Sequence, residues 1–406
     1  MPASIVVVVG GGQAAGQVAA SLRQEGFVGR IVLIGSEPLP PYQRPPLSKA
    51  YLAGEVPLER LLLKSRDFYV QSDIELQLGV TVTRIRPADR TLEMDDGSSL
   101  AFDHLVLATG SRPRSLNLVG ADHPRLFYLR TLADARALQP QLVPGARLVL
   151  IGGGYIGLEI AAVARGIGLR VHVLEAAAHL LWRVTSPVVA AFYRDLHMRQ
   201  GVEVRCAAAV TRIEDSQGSP VVCIDSGERI EADVVVAGVG ALPNLELARD
   251  AGLVCNRGVI VDEYCETSVP GIYAAGDCSE QPCSIDQRQI RLESVPNAIE
   301  QGRTVAAAIC GRRQPNRAIP WFWSDQYDVK LQSAGLQRGH EQRVLRGNPS
   351  RCSFAVYYLR GPRLLAIDAI DRSAEFALAK TWIANRTELA AERLADESIP
   401  IKQIAS

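Results

Sequence analysis

Residues 147–175 read RLVLIGGGYIGLEIAAVARGIGLRVHVLE, and no other stretch narrows the fold so far. An apolar run from Leu148 to Ile151 meets Gly152, Gly154 and Gly157. A small-residue helix follows, and a second apolar run from Val171 to Leu174 ends on Glu175. Strand, tight glycine turn, helix and strand in that order are the setting in which a glycine triplet binds a dinucleotide. Gly152 permits the turn, Gly154 leaves room for a pyrophosphate, and Gly157 lets the helix pack close to the sheet. The pyrophosphate then meets the free N–H groups of the helix N-terminus. Glu175 stands 23 residues after Gly152, where its carboxylate can accept both ribose hydroxyls of an adenosine and repel a 2′-phosphate. The expected nucleotide is NADH; His179 and Arg183 follow closely enough to soften the preference, and Arg183 is a candidate cofactor contact.

Residues 4–37 repeat the pattern. Ile5 to Val9 reads as a strand, GGGQAA as the turn, residues 13–25 as a helix and Ile31 to Ile34 as the next strand. Gly10, Gly12 and Ala15 hold the fingerprint positions, alanine being an accepted third residue. Gly35 falls opposite Glu175, so the nearest acid, Glu37, would serve the ribose from two residues further on. Two fingerprints 142 residues apart (Gly10 to Gly152) imply two dinucleotides, and the economical pair is FAD and a nicotinamide nucleotide. The expected class is α/β, with two Rossmann-like dinucleotide-binding domains and a C-terminal α+β domain.

At 406 residues the chain is too long for one hydrophobic core. Its 44 basic and 44 acidic residues cancel, which disfavours nucleic acid as a partner. The apolar stretches are strand-length or broken by glycine and charge, so no membrane span is expected. Residues 1–10 enter a strand at once with no basic start, so a cytoplasmic location is expected rather than export. Eight cysteines are scattered without a CxxC pair, the first of them Cys206; no metal site is expected from them.

Residues 38–49, PLPPYQRPPLSK, form a proline-studded loop that places Arg44, Ser48 and Lys49. Segments 74–85 and 90–95 read as strands, and DHLVLATG (103–110) as another, ending in a small-residue corner at Thr109 and Gly110. Strands at 202–205, 209–214, 221–224 and 229–231 look like a β-meander after a helix over 187–199. ADVVVAGVG (232–240) again ends a strand on a glycine, Gly240, and GIYAAGD (271–277) leaves Asp277 just past a strand end, where open α/β sheets bind ligands. Thr109, Gly110 and Gly240 are cofactor-binding candidates from these positions. A helix starts near Pro296, which suits the first helical position, and stops at Gly311. Beyond the linker 311–318, PWFWSDQ and later strand-like pieces suggest a separate domain whose last stretch, 373–394, reads as helix.

Over its whole length the chain resembles the FAD- and NADH-dependent ferredoxin reductases of bacterial cytochrome P450 and ring-hydroxylating systems. RPPLSK (44–49), GGGYIGLE (152–159), RLESVPNA (291–298) and PWFWSDQ (320–326) carry the resemblance. It implies a glutathione-reductase-like architecture: an FAD domain of residues 1–108 and 239–316, an NAD domain of 109–238 and a C-terminal domain of 317–406. By those motifs Gly10, Gly12 and Ala15 meet the FAD pyrophosphate, Arg44 lies near the phosphates, and Asp277 binds the ribityl or phosphate region. Lys49 points at the flavin N5 edge and pairs with Glu159; these two are the candidate catalytic residues. Val295 faces the flavin pyrimidine ring, and at least one of Trp321 and Trp323 lies beside the isoalloxazine or near a docking face.

Related disulphide reductases relay electrons through a CxxxxC pair soon after the first fingerprint, and single-thiol relatives need a cysteine in the same region. Residues 38–60 contain none, so electrons should leave the flavin for an external one-electron carrier. The resemblance makes that carrier a [2Fe–2S] ferredoxin serving a P450 or other oxygenase. Such ferredoxins are usually acidic, and a positive face would favour docking; the candidates are Arg288, Arg291, Arg312, Arg313, Arg317 and Arg66. A rubredoxin reductase or dioxygenase-system ferredoxin reductase shares the architecture, and a largely structural flavoprotein resembling apoptosis-inducing factor is the third reading.

Overall fold

In the computed structural model, which describes residues 4–285 and 288–405, each glycine turn follows the central strand of its own parallel sheet. The chain divides into two compact units.

The first unit comprises Met1–Gln43, Leu58–Arg112 and Leu242–Phe322. Its sheet runs in the order Ile272–Ala274, His104–Leu107, Ile5–Val9, Arg30–Gly35, Ile74–Leu78, with every pairing parallel. The β-branched run Val6 to Val9 is buried, as a strand covered on both faces requires. Helix Gln13–Gln24 buries Ala15, Val18, Ala19 and Leu22, one stripe at helical spacing. Helix Val295–Ile309 packs against it at Gly302, where a Cβ would fall 2.9 Å from Gln17 Cβ; only glycine admits that approach. Segment 74–85 is not one strand. Gly79, at φ +74°, separates Ile74–Leu78 from Val82–Arg86, and the latter turns away to pair antiparallel with Thr91–Met94.

The second unit comprises Arg44–Pro57, Pro113–Ala241 and Trp323–Ser406. Its parallel sheet has the order Val202–Cys206, Arg170–Glu175, Arg147–Ile151, Val234–Ala237, Leu126–Phe127. Val202–Cys206 is therefore the edge of the nucleotide sheet and no part of a meander. Val202 and Val204 register with Val171 and Val173, a pairing that alternation within the strand cannot reveal. The meander is the three-stranded Val210–Ser216, Ser219–Ile224 and Arg229–Glu231.

The C-terminal sheet has the order Trp321–Gln326, Val329–Gly335, Arg363–Ile370, Ser353–Arg360, Gln342–Asn348. The helix expected over 373–394 is instead Ser373–Asn385, closed by Arg386 in the left-handed conformation (φ +54°), with a short second helix at Ala391–Ala395. Among the described residues no helix is long and apolar enough to cross a membrane.

Candidate functional site

The first glycine turn is shaped for a phosphate-bearing ligand. Gly10 has φ +135°, and a Cβ there would fall 2.1 Å from Ala108 O, so the turn needs glycine for its own geometry. Gly12 differs: an added Cβ would meet nothing within 4 Å. The space in front of Gly12 is open, and the helix behind it has no side-chain cap on its first N–H groups. Ala15 is fully buried. These are the features that a pyrophosphate at a helix N-terminus requires.

The surrounding candidates are held by contacts that the sequence did not show. Glu37 accepts a hydrogen bond from Tyr42 OH at 2.6 Å. Thr109 Oγ1 donates to Asn244 O, and Asn244 Nδ2 donates back to Thr109 O, both at 2.8 Å. Gly110, at φ +66°, accepts from Asn244 N. Asp277 accepts from Ser111 Oγ at 2.7 Å, and its carbonyl accepts from Arg291 at 3.2 Å. Gln301 takes the Gly276 N–H at 2.7 Å, which fixes the backbone just before Asp277.

At the start of helix Val295–Ile309, Ser294 is the cap and Val295 the first residue; Pro296 is second rather than first. Of the first four backbone nitrogens, Pro296 has no hydrogen, Asn297 N donates to Ser294 Oγ and Ala298 N to Ser294 O. The Val295 N–H is left without an acceptor among the described residues. It is a donor with the helix dipole behind it.

The second glycine turn repeats the first. Gly152 has φ +107° and would drive a Cβ to 2.5 Å from Gly238 O, and a Cβ on Gly157 would lie 2.5 Å from Gly152 O. Gly154 again faces open space, its nearest neighbour 4.0 Å away, and the helix Tyr155–Ile167 has no side-chain cap. Glu175 accepts from Gly153 N and from Ala177 N, both at 2.7 Å. Both carboxylate oxygens are thus anchored, and the charge cannot swing away from a ligand. Gly240, at φ +108°, has Arg183 Nη2 3.6 Å from its would-be Cβ.

Lys49 and Glu159 come together in the second unit. The turn Pro45–Ser48, begun by two prolines, delivers Ser48 and Lys49 to helix Tyr155–Ile167. Lys49 Nζ lies 2.9 Å from Glu159 Oε1, with the side chains 19% and 5% exposed. Ser48 Oγ donates to Oε2 at 2.6 Å and Ser324 Oγ to Oε1 at 2.7 Å. Glu159 is therefore a buried carboxylate with three donors, the condition under which burial of a charge is tolerated. Ser324 was not foreseen; its only trace in the sequence is a polar residue inside PWFWSDQ. Arg44, from the same turn, donates to Arg130 O at 2.7 Å.

The arginines proposed for docking are unequally available. Arg312 is ion-paired with Glu25 and also donates to its carbonyl. Arg313 pairs with Glu266 at 2.8 Å and Asp262 at 3.3 Å, and lies 4.4 Å from the Tyr264 ring centroid; the Glu266 hydrogen bond raises its pKa further above the usual arginine value. Arg291 pairs with Glu293. Arg66 and Arg317 are exposed with no partner among the described residues. Trp321 and Trp323 are half-buried on the strand Trp321–Gln326. Among the described residues no group of three or more His, Cys, Asp or Glu is placed to hold a metal ion.

The chain is similar over nearly its whole length to known proteins. A family model described as pyridine nucleotide-disulphide oxidoreductase matches residues 4–302, and one described as reductase C-terminal matches residues 321–405. The chain is 44% identical over 405 residues to putidaredoxin reductase of Pseudomonas putida, covering 98% of this chain and 96% of the relative. It is 41% identical over 409 residues to a 5,5′-dehydrodivanillate O-demethylase ferredoxin reductase subunit of Sphingobium, covering 100% and 99%. Among solved structures, a covalent putidaredoxin reductase–putidaredoxin complex superposes with a TM-score of 0.96 at 42% identity, covering 99% of this chain and 98% of that one.

Proposed function

We propose, given that the chain belongs to the pyridine nucleotide-disulphide oxidoreductase family and carries a reductase C-terminal domain, that it carries electrons from NADH to a [2Fe–2S] ferredoxin supplying a cytochrome P450 or other oxygenase. It is an oxidoreductase of the ferredoxin reductase type, and the family implies FAD and NADH as its nucleotides. Bound FAD supplies the chemistry that accepts two electrons with a hydride and releases them singly.

The chain's own groups bind and orient. Gly10, Gly12, Ala15 and the uncapped helix behind them would hold the FAD pyrophosphate, with Glu37, Arg44, Thr109, Gly110 and Asp277 as further contacts. Gly152, Gly154 and Gly157 would hold the pyrophosphate of NADH, Glu175 its adenosine ribose, with Arg183 and Gly240 beside them. The Lys49 ammonium and the Val295 N–H would offer positive charge to an electron-rich flavin ring, and Glu159 would keep Lys49 in place. At least one of Trp321 and Trp323 would border the flavin or the docking face.

One observation carries the choice of acceptor: the segment where disulphide-using relatives place their thiols holds Lys49 seated on Glu159, and the chain has no cysteine before Cys206. An internal thiol relay has no residue to use there. The names of the relatives support an iron–sulfur protein as the carrier. Docking would draw on Arg66, Arg288 and Arg317, with Arg291, Arg312 and Arg313 contributing less because acids within the fold offset them.

The test is acceptor choice under anaerobic conditions with NADH in excess. An acidic [2Fe–2S] ferredoxin is expected to be reduced rapidly, and more slowly as salt is raised. Rapid reduction of rubredoxin with none of ferredoxin would overturn the reading in favour of a rubredoxin reductase, and bleaching too slow to sustain either would favour a structural flavoprotein.

A further inference from the structure

Asp368 lies on strand Arg363–Ile370 of the C-terminal sheet and is 4% exposed. Three hydroxyls converge on its carboxylate: Ser333 Oγ at 2.6 Å on one oxygen, and Thr185 Oγ1 at 2.6 Å and Tyr358 OH at 2.5 Å on the other. Burial pushes its pKa up while the three hydroxyls pull it down. An apolar residue at 368 would take the carboxylate away from the buried Thr185 and Tyr358 hydroxyls and from the half-buried Ser333, so the carboxylate is integral to this arrangement. The role assigned to Lys49, Glu159 and the glycine turns makes no use of it.

The cluster reaches the nucleotide turn by two routes. Thr185 ends the segment that follows Glu175, and that segment folds back over the turn. Leu181 N donates to Gly153 O at 3.0 Å, Thr185 N donates to Leu181 O at 3.3 Å, and Arg183 lies beside Gly240. Arg183 is exposed and has no partner among the described residues. Its position therefore depends on the residues that flank it, and Thr185 is the nearest one tied down by a side chain. The second route is Tyr155, the first residue of the helix after Gly154. Burial and, after it, the Asp368 charge push its hydroxyl pKa up, while the neighbouring Ser333, itself bonded to Asp368, pulls it down.

We propose that Asp368 is a positioning residue for the nicotinamide nucleotide. From the C-terminal sheet it holds Thr185, so that the Arg183 segment keeps its place over the Gly152–Gly157 turn. This rests on the reading of that turn as the NADH site. The C-terminal domain then serves nucleotide affinity as well as any partner it meets.

The experiment measures NAD⁺ binding by calorimetry on the FAD-loaded protein, together with KM for NADH, the limiting rate of flavin reduction, FAD content and melting temperature. Thr185→Val keeps the shape and removes the hydroxyl. It is expected to raise the NAD⁺ dissociation constant and KM about three- to tenfold, with FAD content and limiting rate near native. Thr185→Ser should restore the affinity. Asp368→Asn should show a partial loss and Asp368→Ala a larger one. Native affinity in Thr185→Val and in Asp368→Asn would overturn the proposal. So would affinity lost only in proportion to FAD content or melting temperature, with no rescue by serine. If the native protein binds no NAD⁺, the reading of the glycine turn fails and takes this proposal with it; native binding with indifferent variants defeats the proposal alone.

Discussion

Replacing Lys49 by Met removes the one cation paired, among the described residues, with a carboxylate that is 5% exposed. At 2.9 Å and an effective dielectric constant of about 20, the gross attraction is about 6 kcal/mol. Breaking a buried pair from one side costs about 3–5 kcal/mol, and two features point to the lower end. Ser48 and Ser324 go on donating to Glu159, and Lys49 at 19% exposure keeps some water in the native protein. Lys49→Met should therefore destabilise by about 3 kcal/mol. Glu159→Gln leaves an ammonium that can hydrate and an amide that still accepts from a serine, and should cost about 1–2 kcal/mol. The double variant has no unpaired charge, so its loss should fall short of the sum by about 2–3 kcal/mol. The assay is urea unfolding followed by circular dichroism for all four proteins at the same saturating FAD, with flavin absorbance recorded alongside. Strict additivity, or Glu159→Gln costing more than Lys49→Met, would refute the reasoning.

Glu175→Ala should raise kcat/KM for NADPH relative to NADH by about tenfold, because an anchored carboxylate facing a 2′-phosphate disappears; equal ratios in native and variant would show that Glu175 does not meet the ribose. Gly12→Val should fold and lose FAD, since its side chain enters open space, whereas Gly10→Ala should fail to fold stably, since its methyl group strikes Ala108 O; absorbance per folded chain separates the two outcomes. His197 is buried between Gln326 and Tyr327, and burial holds its pKa down at about 4, from 6.5. The unfolded chain therefore binds the proton first as pH falls, so stability present above pH 6.5 is lost towards pH 4, by up to roughly 3 kcal/mol. His197→Gln should flatten that stretch of the stability–pH curve, and an unchanged slope would place the acid sensitivity elsewhere.

The glycine turns were legible in the sequence because their pattern is local, even though the backbones that crowd Gly10 and Gly152, at Ala108 and Gly238, come from far along the chain. A strand, three positions and a helix lie within 20 or 21 residues, Ile5 to Gln24 and Arg147 to Ile167, and the strain at Gly10 and Gly152 is relieved only by glycine. The ion pair of Lys49 with Glu159 was expected from the resemblance, but its completion by Ser324 was not. Serine has no periodic signature, and the partners stand 165 positions apart. Asp368 was invisible for the same reason, its bond to Thr185 spanning 183 positions. The strand Val202–Cys206 was misassigned because alternating valines suit either a meander or a parallel edge, and only the register with Val171 and Val173 decides. The helix break at Arg386 carried no glycine or proline to announce it. Arg312 and Arg313 looked like a free basic cluster because the acids that neutralise them come from Glu25 and from Asp262 and Glu266.

The central claim is that electrons pass from NADH to an external one-electron carrier without a thiol relay in the chain. Anaerobic titration of the FAD-loaded protein with limiting NADH, in the presence of excess oxidised [2Fe–2S] ferredoxin, tests it most directly. Two ferredoxins should be reduced for each NADH consumed, and prior alkylation of the accessible cysteines should leave that yield unchanged. Flavin bleached by NADH with no ferredoxin reduced, or a yield abolished by alkylation, would contradict it.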